Sequence, residues 1–317
     1  MKKIVLLLLM FISIGVSAAC TPQEETGLNT VRYIAVDIYD PVFVGVEEGI
    51  FERNGIDLVI SGNVQAGVTA IQLVSSGDVE ASLSSLMGII NAVYNGLDII
   101  AVSDLQSTTE GAPLKEFYVR QDSGINTVED VVGKTIAVNG LGNSFHYAWL
   151  MKLSEFGLTE DDVNFVSLPF PEQIIALENG SIDVASLISP HNAVGRQNEN
   201  FRMLFDGLDV FGVKQFSAHF ISTEWAEQNP KVATAFVTAM AETIEFIQNN
   251  QDRAREIISN QTGVDVSFID DYFYQPNGMM ILEDVQFWID FMYEYEGFTR
   301  RLEAKEVATN EYNSKLD

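Results

Sequence analysis

Short apolar runs alternate with amphipathic helical stretches from about Val31 onward, and turn residues mark nearly every exit. Arg32 to Val36 predicts a strand, Asp40-Pro41 a cap and first helical residue, and Asn54-Gly55 the helix exit. Leu58 to Ser61 predicts the next strand, Gln65 to Ser76 a helix closed by Gly77, and Val79 to Leu83 a third strand. Leu86 to Tyr94 then predicts a helix closed by Asn95-Gly96, and Ile99 to Asp104 a fourth strand. A βαβαβαβ order calls for a mainly parallel sheet with helices on both faces, since each crossover helix must bury its apolar stripe on the sheet.

The pattern then repeats. Thr127 with Asp130 forms a capping-box pattern, Thr135 to Val138 a strand, Asn143-Ser144 a cap, Asn164 to Leu168 a strand, and Val184 to Ile188 another. Leu73 to Leu83 and Leu177 to Leu187 share helix end, glycine, acid and strand in nearly the same order, which predicts two like-built lobes. Gln215 to Ser222 predicts a further strand, followed by helices over Pro230 to Asn249, Asp252 to Asn260 and Leu282 to Tyr295. The expected architecture is therefore α/β, two doubly wound lobes with a ligand cleft between them and two crossover strands. Lobe I comprises residues 31–106 and 217–317 and is discontinuous; lobe II comprises 107–216.

Charge narrows the partners. With 18 Lys+Arg against 45 Asp+Glu, net −27, long-range attraction to nucleic acid or to an anionic membrane surface is excluded. One cysteine and three histidines give no basis for a structural metal or an internal disulfide, so neither metal nor cofactor is expected. Met1-Lys2-Lys3, the apolar run Ile4 to Val16 and Ser17-Ala18-Ala19 before Cys20 form an export signal over residues 1–19. The run is too short to span a membrane. Cys20 stands where a lipoprotein signal places its acylated residue, although Ser17 replaces the usual leucine; simple cleavage without lipidation is the alternative. Residues 20–30 then read as a lipid-anchored linker.

In open parallel sheets ligands sit beyond the carboxyl ends of the strands. That rule selects Tyr39 and Asp40 after the first strand, Gly62, Asn63 and Gln65 after the second, and Ser84 and Ser85 after the third. In the second lobe it selects Asn143, Ser144 and His146, then Ser189 and His191; His219 lies on the returning strand. These groups suit the orienting of a small molecule. Asp40, Asn143 and Ser144 also fit plain helix caps, Tyr39 and Phe145 plain packing, and His146 and His219 satisfied interior histidines. The Gly140-x-Gly142 stretch breaks the dinucleotide fingerprint at Phe145, and no nucleophile elbow, phosphate loop or zinc-protease motif occurs. No catalytic residue is assigned.

Asp40 to Leu58, Ser76 to Ala81, Thr127 to Ala137, Gly142 to His146 and Leu177 to Asp183 together resemble the substrate-binding proteins of the nitrate, sulfonate, taurine and thiamine-pyrimidine class of ABC importers. The resemblance runs over residues 31 to about 225. It implies a type II periplasmic-binding-protein fold, a monomer held outside the cytoplasm by its lipid anchor, and lobe closure on a small organic solute delivered to an ABC permease. No Lys or Arg stands at a predicted carboxyl-end loop, so a sulfonate- or nitrate-type anion held by helix N-termini and hydroxyls competes with a neutral heteroaromatic stacked on Tyr39 or Phe145. A secreted enzyme or a sensor domain on the same fold is the alternative function.

Overall fold

A computed structural model describes residues 27–36, 40–64, 66–110, 112–271, 273–295 and 297–316. The export signal, Cys20, Tyr39 and Gln65 lie outside the described residues. Two five-stranded sheets organise the chain. The first contains β1 (Asn29–Val36), β2 (Ile56–Val64), β3 (Ala81–Ser85), β4 (Ile99–Thr108) and the last strand, β10 (Lys214–Ser222). The second contains β5 (Lys115–Arg120), β6 (Thr135–Val138), β7 (Asn164–Ser167), β8 (Val184–Ile188) and β9 (Phe201–Asp206).

Their orders, β2-β1-β3-β10-β4 and β7-β6-β8-β5-β9, follow one plan. Four strands of each sheet point the same way, and a single antiparallel strand, β10 or β5, fills the fourth place. The repeated glycine-acid-strand segment has a physical role in both sheets. Gly77 and Gly180 end their helices at φ +77° and +78°, a backbone region that costs glycine little. The acid that follows then fastens the neighbouring strand: Glu80 accepts the Arg32 backbone N–H at 2.6 Å, and Asp183 accepts that of Thr135 at 2.9 Å.

Helices cover the sheets. Along the first half run α1 (Val42–Glu47), α2 (Ile50–Arg53), α3 (Gly67–Ser75) and α4 (Leu86–Tyr94). The second sheet carries α5 (Ser144–Glu155), α6 (Phe170–Asn179), α7 (His191–Gln197) and α8 (Gly207–Phe211). The carboxy-terminal part supplies α9 (Thr223–Gln228), α10 (Pro230–Asn249), α11 (Gln251–Thr262), α12 (Leu282–Tyr295) and α13 (Ala304–Val307). α10 buries Phe236, Met240, Ile244 and Ile247 at helical spacing, as its sequence predicts.

One apolar body crosses between the sheets. Phe216 and Phe211 pack edge-on to Trp288 of α12, Phe291 of the same helix meets Tyr147 of α5, and the cluster continues through Phe117 and Trp149. The Trp288 indole donates to the Gln215 carbonyl at 2.7 Å, fixing α12 to the entry of β10.

Several elements differ from the sequence reading. β2 continues through Gly62 and Asn63, which lie in an exposed edge strand instead of the loop expected there. The register slips between Tyr33 and Ala35, and Gly62, at φ +138°, absorbs the extra residue as a bulge. Ser84 and Ser85 close β3 instead of following it. β4 runs on to Thr108, past the Asp104 end expected for it, and β10 begins at Lys214, one residue before the expected start.

Candidate functional site

The carboxyl edges of both sheets hold the predicted polar groups, but many of those groups are already occupied. Asn143 caps α5: its Oδ1 accepts from the Phe145 and His146 N–H groups at 3.0 and 3.2 Å, and its amide donates to Asn139. His146 is buried behind it. Its Nδ1 accepts the Gly142 N–H at 3.1 Å, so Nε2 carries the proton and donates to Glu160 at 3.2 Å. Ser144 is buried in the first helical turn.

Asp40 and His219 come together away from solvent. Both are 0% exposed, 3.4 Å apart, with the Tyr33 hydroxyl donating to the other Asp40 oxygen at 2.8 Å and the Val42 N–H to the first. This buried trio fixes the start of α1 against the sheet. Ser85 caps α4 by accepting from the Gly88 N–H, and Ser84 is wedged under Gly67, where an added Cβ would lie 2.4 Å from its hydroxyl. Ser189 accepts the Asp270 N–H at 3.5 Å, and His191 stacks on Phe170 with ring centroids 5.6 Å apart.

Two antiparallel strands bring further groups to these edges. Because β5 runs against its neighbours, its first residue pairs with the last residue of β8: Lys115 lies opposite Ile188, beside Ser189. Likewise the entry of β10 meets the end of β3, with Ser217 opposite Ser85. Lys115 is 3% exposed. Its Nζ stands 3.4 Å from the Phe216 ring centroid on β10 of the first sheet and 4.7 Å from that of Phe145 on α5, a helix of the second, so it is sandwiched between the two rings. Among the described residues no carboxylate pairs with it. Burial holds its pKa well below the ordinary lysine value. Leu114, at φ +58°, turns the chain immediately before it, an uncommon conformation for a side chain of that bulk.

On the opposite face of β5, Glu116 is buried among Tyr118, Asn192 and Arg196. Burial pushes its carboxyl up, against the pull of the Tyr118 hydroxyl and the Arg196 guanidinium. Arg196 continues to Asp270 at 2.5 Å, in the segment after α11. Lys115 and this chain of ion pairs were not among the residues selected from the sequence. The usable signal is Lys115-Glu-Phe-Tyr-Val-Arg120, a strand-like run following the first lobe.

Groups of three or more side chains suited to a metal are absent among the described residues, and no helix there is long and apolar enough to cross a membrane.

A family model described as NMT1/THI5 like matches residues 39–254. A Bacillus subtilis (strain 168) protein assigned as aliphatic sulfonates-binding is 23% identical, over 99% of this chain and 97% of its own length. Among solved structures, the periplasmic aliphatic sulphonate binding protein SsuA of Escherichia coli superposes with TM-score 0.72 at 17% identity, covering 87% of this chain and 91% of SsuA. The periplasmic nitrate-binding protein NrtA of Synechocystis PCC 6803 gives 0.73 at 12% identity, covering 90% and 87%. The desulfurization enzyme DSZB shares the fold as well, with TM-score 0.69 at 16% identity, 91% of this chain and 99% of that one. The fold is thus that of the type II periplasmic binding proteins.

Proposed function

Because the chain belongs to the NMT1/THI5-like family, we propose that it is the extracytoplasmic substrate-binding protein of an ABC importer and that its ligand is a sulfonate- or nitrate-type anion. Lobe I, residues 31–106 and 217–317, and lobe II, residues 107–216, close on that anion, and the closed form is what the permease accepts. The observation that carries the choice of an anion is Lys115: a buried lysine with no carboxylate partner among the described residues, placed between Phe216 of β10 in the first sheet and Phe145 of α5 on the second, in a strongly acidic protein. The absence of a cation from the carboxyl-end loops had kept a neutral heteroaromatic equally open, and Lys115 removes that objection to an anion. The other ligand contacts are assigned to Ser189, which follows the Ile188 opposite Lys115, and to Ser85, opposite the Ser217 that follows Phe216, together with Ser84, Ser144 and His191. Asp40, Asn143, His146 and His219 support these positions from behind.

The protein binds and releases without chemistry in this reading, although the fold also serves DSZB. Titration calorimetry against ethanesulfonate, taurine, nitrate and riboflavin tests it, since binding of riboflavin with none of the anions would reverse the assignment. Anchoring through Cys20 is part of the same proposal. Cys20→Ser should move the protein from membranes to the soluble fraction, and a variant that stays with the membrane removes the anchor.

A further inference from the structure

The reading of the site as an anion cleft leads to a statement about protons, which rests on that reading. Among the described residues, the groups that the structure sets directly against Lys115 are neutral. β8 offers Ile188, α5 offers the Phe145 ring, β10 offers the Phe216 ring, and α8 begins at Gly207 next to the lysine stem.

The charged groups nearby are engaged elsewhere. Glu116 faces Arg196 across the strand. Asp206 caps α8 through the Leu208 and Asp209 N–H groups, and the Asp209 carboxylate in turn accepts the Asp206 N–H. Lys152 bonds Glu155, and Lys214 bonds Asp284 at 3.2 Å. A buried ammonium with only ring faces for company is poorly compensated, because removing it from water costs more than two aromatic contacts return. An anion seated beside it supplies the missing charge.

We propose that Lys115 is neutral in the unliganded cleft and takes up one proton from solvent as the anion enters, so that ligand capture is coupled to protonation. The proton adds to the Nζ lone pair and leaves with the ligand; no other bond changes. Sulfonates and nitrate do not titrate near neutral pH, so the uptake belongs to the protein. The sign follows from linkage. Between the pKa of the free lysine and the higher pKa in the complex, affinity falls as pH rises, by up to about tenfold per pH unit. Below the free value the lysine is already charged, and affinity is flat.

The test is calorimetric titration of the full chain with ethanesulfonate and with nitrate, from pH 6 to 9, in paired buffers of unlike ionisation heat. The expected result is uptake approaching one proton per anion, with log Kd rising in the same range. Lys115→Met should lose the uptake and the pH dependence together and bind at least about tenfold more weakly, while melting no lower than the parent. Lys115→Arg should bind without proton uptake, which keeps the test decisive if the methionine variant fails to fold. Anion binding by the parent with no proton exchange at any pH, or uptake undiminished in Lys115→Met, overturns the proposal and leaves the anion reading standing. A parent that binds neither anion overturns both.

Discussion

Arg196 of α7 and Asp270 of the segment following α11 meet at 2.5 Å, joining the second sheet's helices to the carboxy-terminal part of the chain. Asp270 also gives its backbone N–H to the Ser189 hydroxyl, so one short segment grips the end of β8 and the last turn of α7 together.

That contact is suited to holding the cleft shut. The two side chains are 40% and 37% exposed, which limits the pair to about 0.5–1 kcal/mol after solvent screening. Asp270→Ala should therefore weaken anion affinity about two- to fivefold and leave a more open unliganded form, visible as a larger radius of gyration in solution scattering. Unaltered affinity and scattering would remove Arg196–Asp270 as a closing contact.

Asp104 provides a pH signature separate from the cleft. It is fully buried, with Oδ2 accepting from the Gln275 N–H and the Ser107 hydroxyl. Burial pushes its pKa up to about 7, despite those hydrogen bonds. The unfolded chain releases this proton near pH 4, so the folded state binds more protons between about 4 and 7. Stability from this group is fully present below pH 4 and is lost as pH rises to 7, by up to about 4 kcal/mol. Asp104→Asn should abolish that loss. Its melting midpoint should gain on the parent's steadily from pH 4 to 7 and keep the gain above 7. A constant difference over that range would mean that Asp104 does not titrate there.

Asn143 is predicted to act on stability more than on binding. Replacing it by Ala leaves the Phe145 and His146 N–H groups uncapped, at a cost of about 1–2 kcal/mol. Urea unfolding measures this directly. Unchanged stability with a tenfold affinity loss would instead return Asn143 to the ligand.

Salt should stabilise a chain with 45 acids and 18 bases. Screening by potassium chloride ought to raise the melting midpoint steeply up to about 0.3 M, with little further gain once the Debye length is short. A rise continuing to about 2 M would mark a surface adapted to saline surroundings instead.

Much of this organisation was legible in the chain. Thr135–Val138, Val184–Ile188, Leu86–Tyr94 and Pro230–Asn249 coincide with elements predicted from periodicity and turn residues. The glycine-acid repeat anticipated the shared sheet order because it encodes an αL helix exit followed by a carboxylate that ties two strands. β5 was missed for an equally physical reason. Five of its residues, including Lys115 and Glu116, are buried, so the run shows neither alternation nor an uninterrupted apolar stretch. The rule that ligands lie past strand carboxyl ends was then applied without the antiparallel strands, whose amino ends lie on that same edge. This concealed Lys115 and Ser217, and Asp40 and His219 were selected by position although tertiary packing encloses them.

The placement of β10 also bears on the order in which the molecule can assemble. Residue 217 lies beside residue 85, and β10 separates β3 from β4, so the first sheet stays divided until the chain has returned from the second. The second sheet draws all its strands from one uninterrupted stretch, 115–206. During folding it can form from that stretch alone, whereas the first sheet must wait with exposed edges on β3 and β4 for the late strand that joins them. Premature pairing of those edges is the step at which this fold is most open to error.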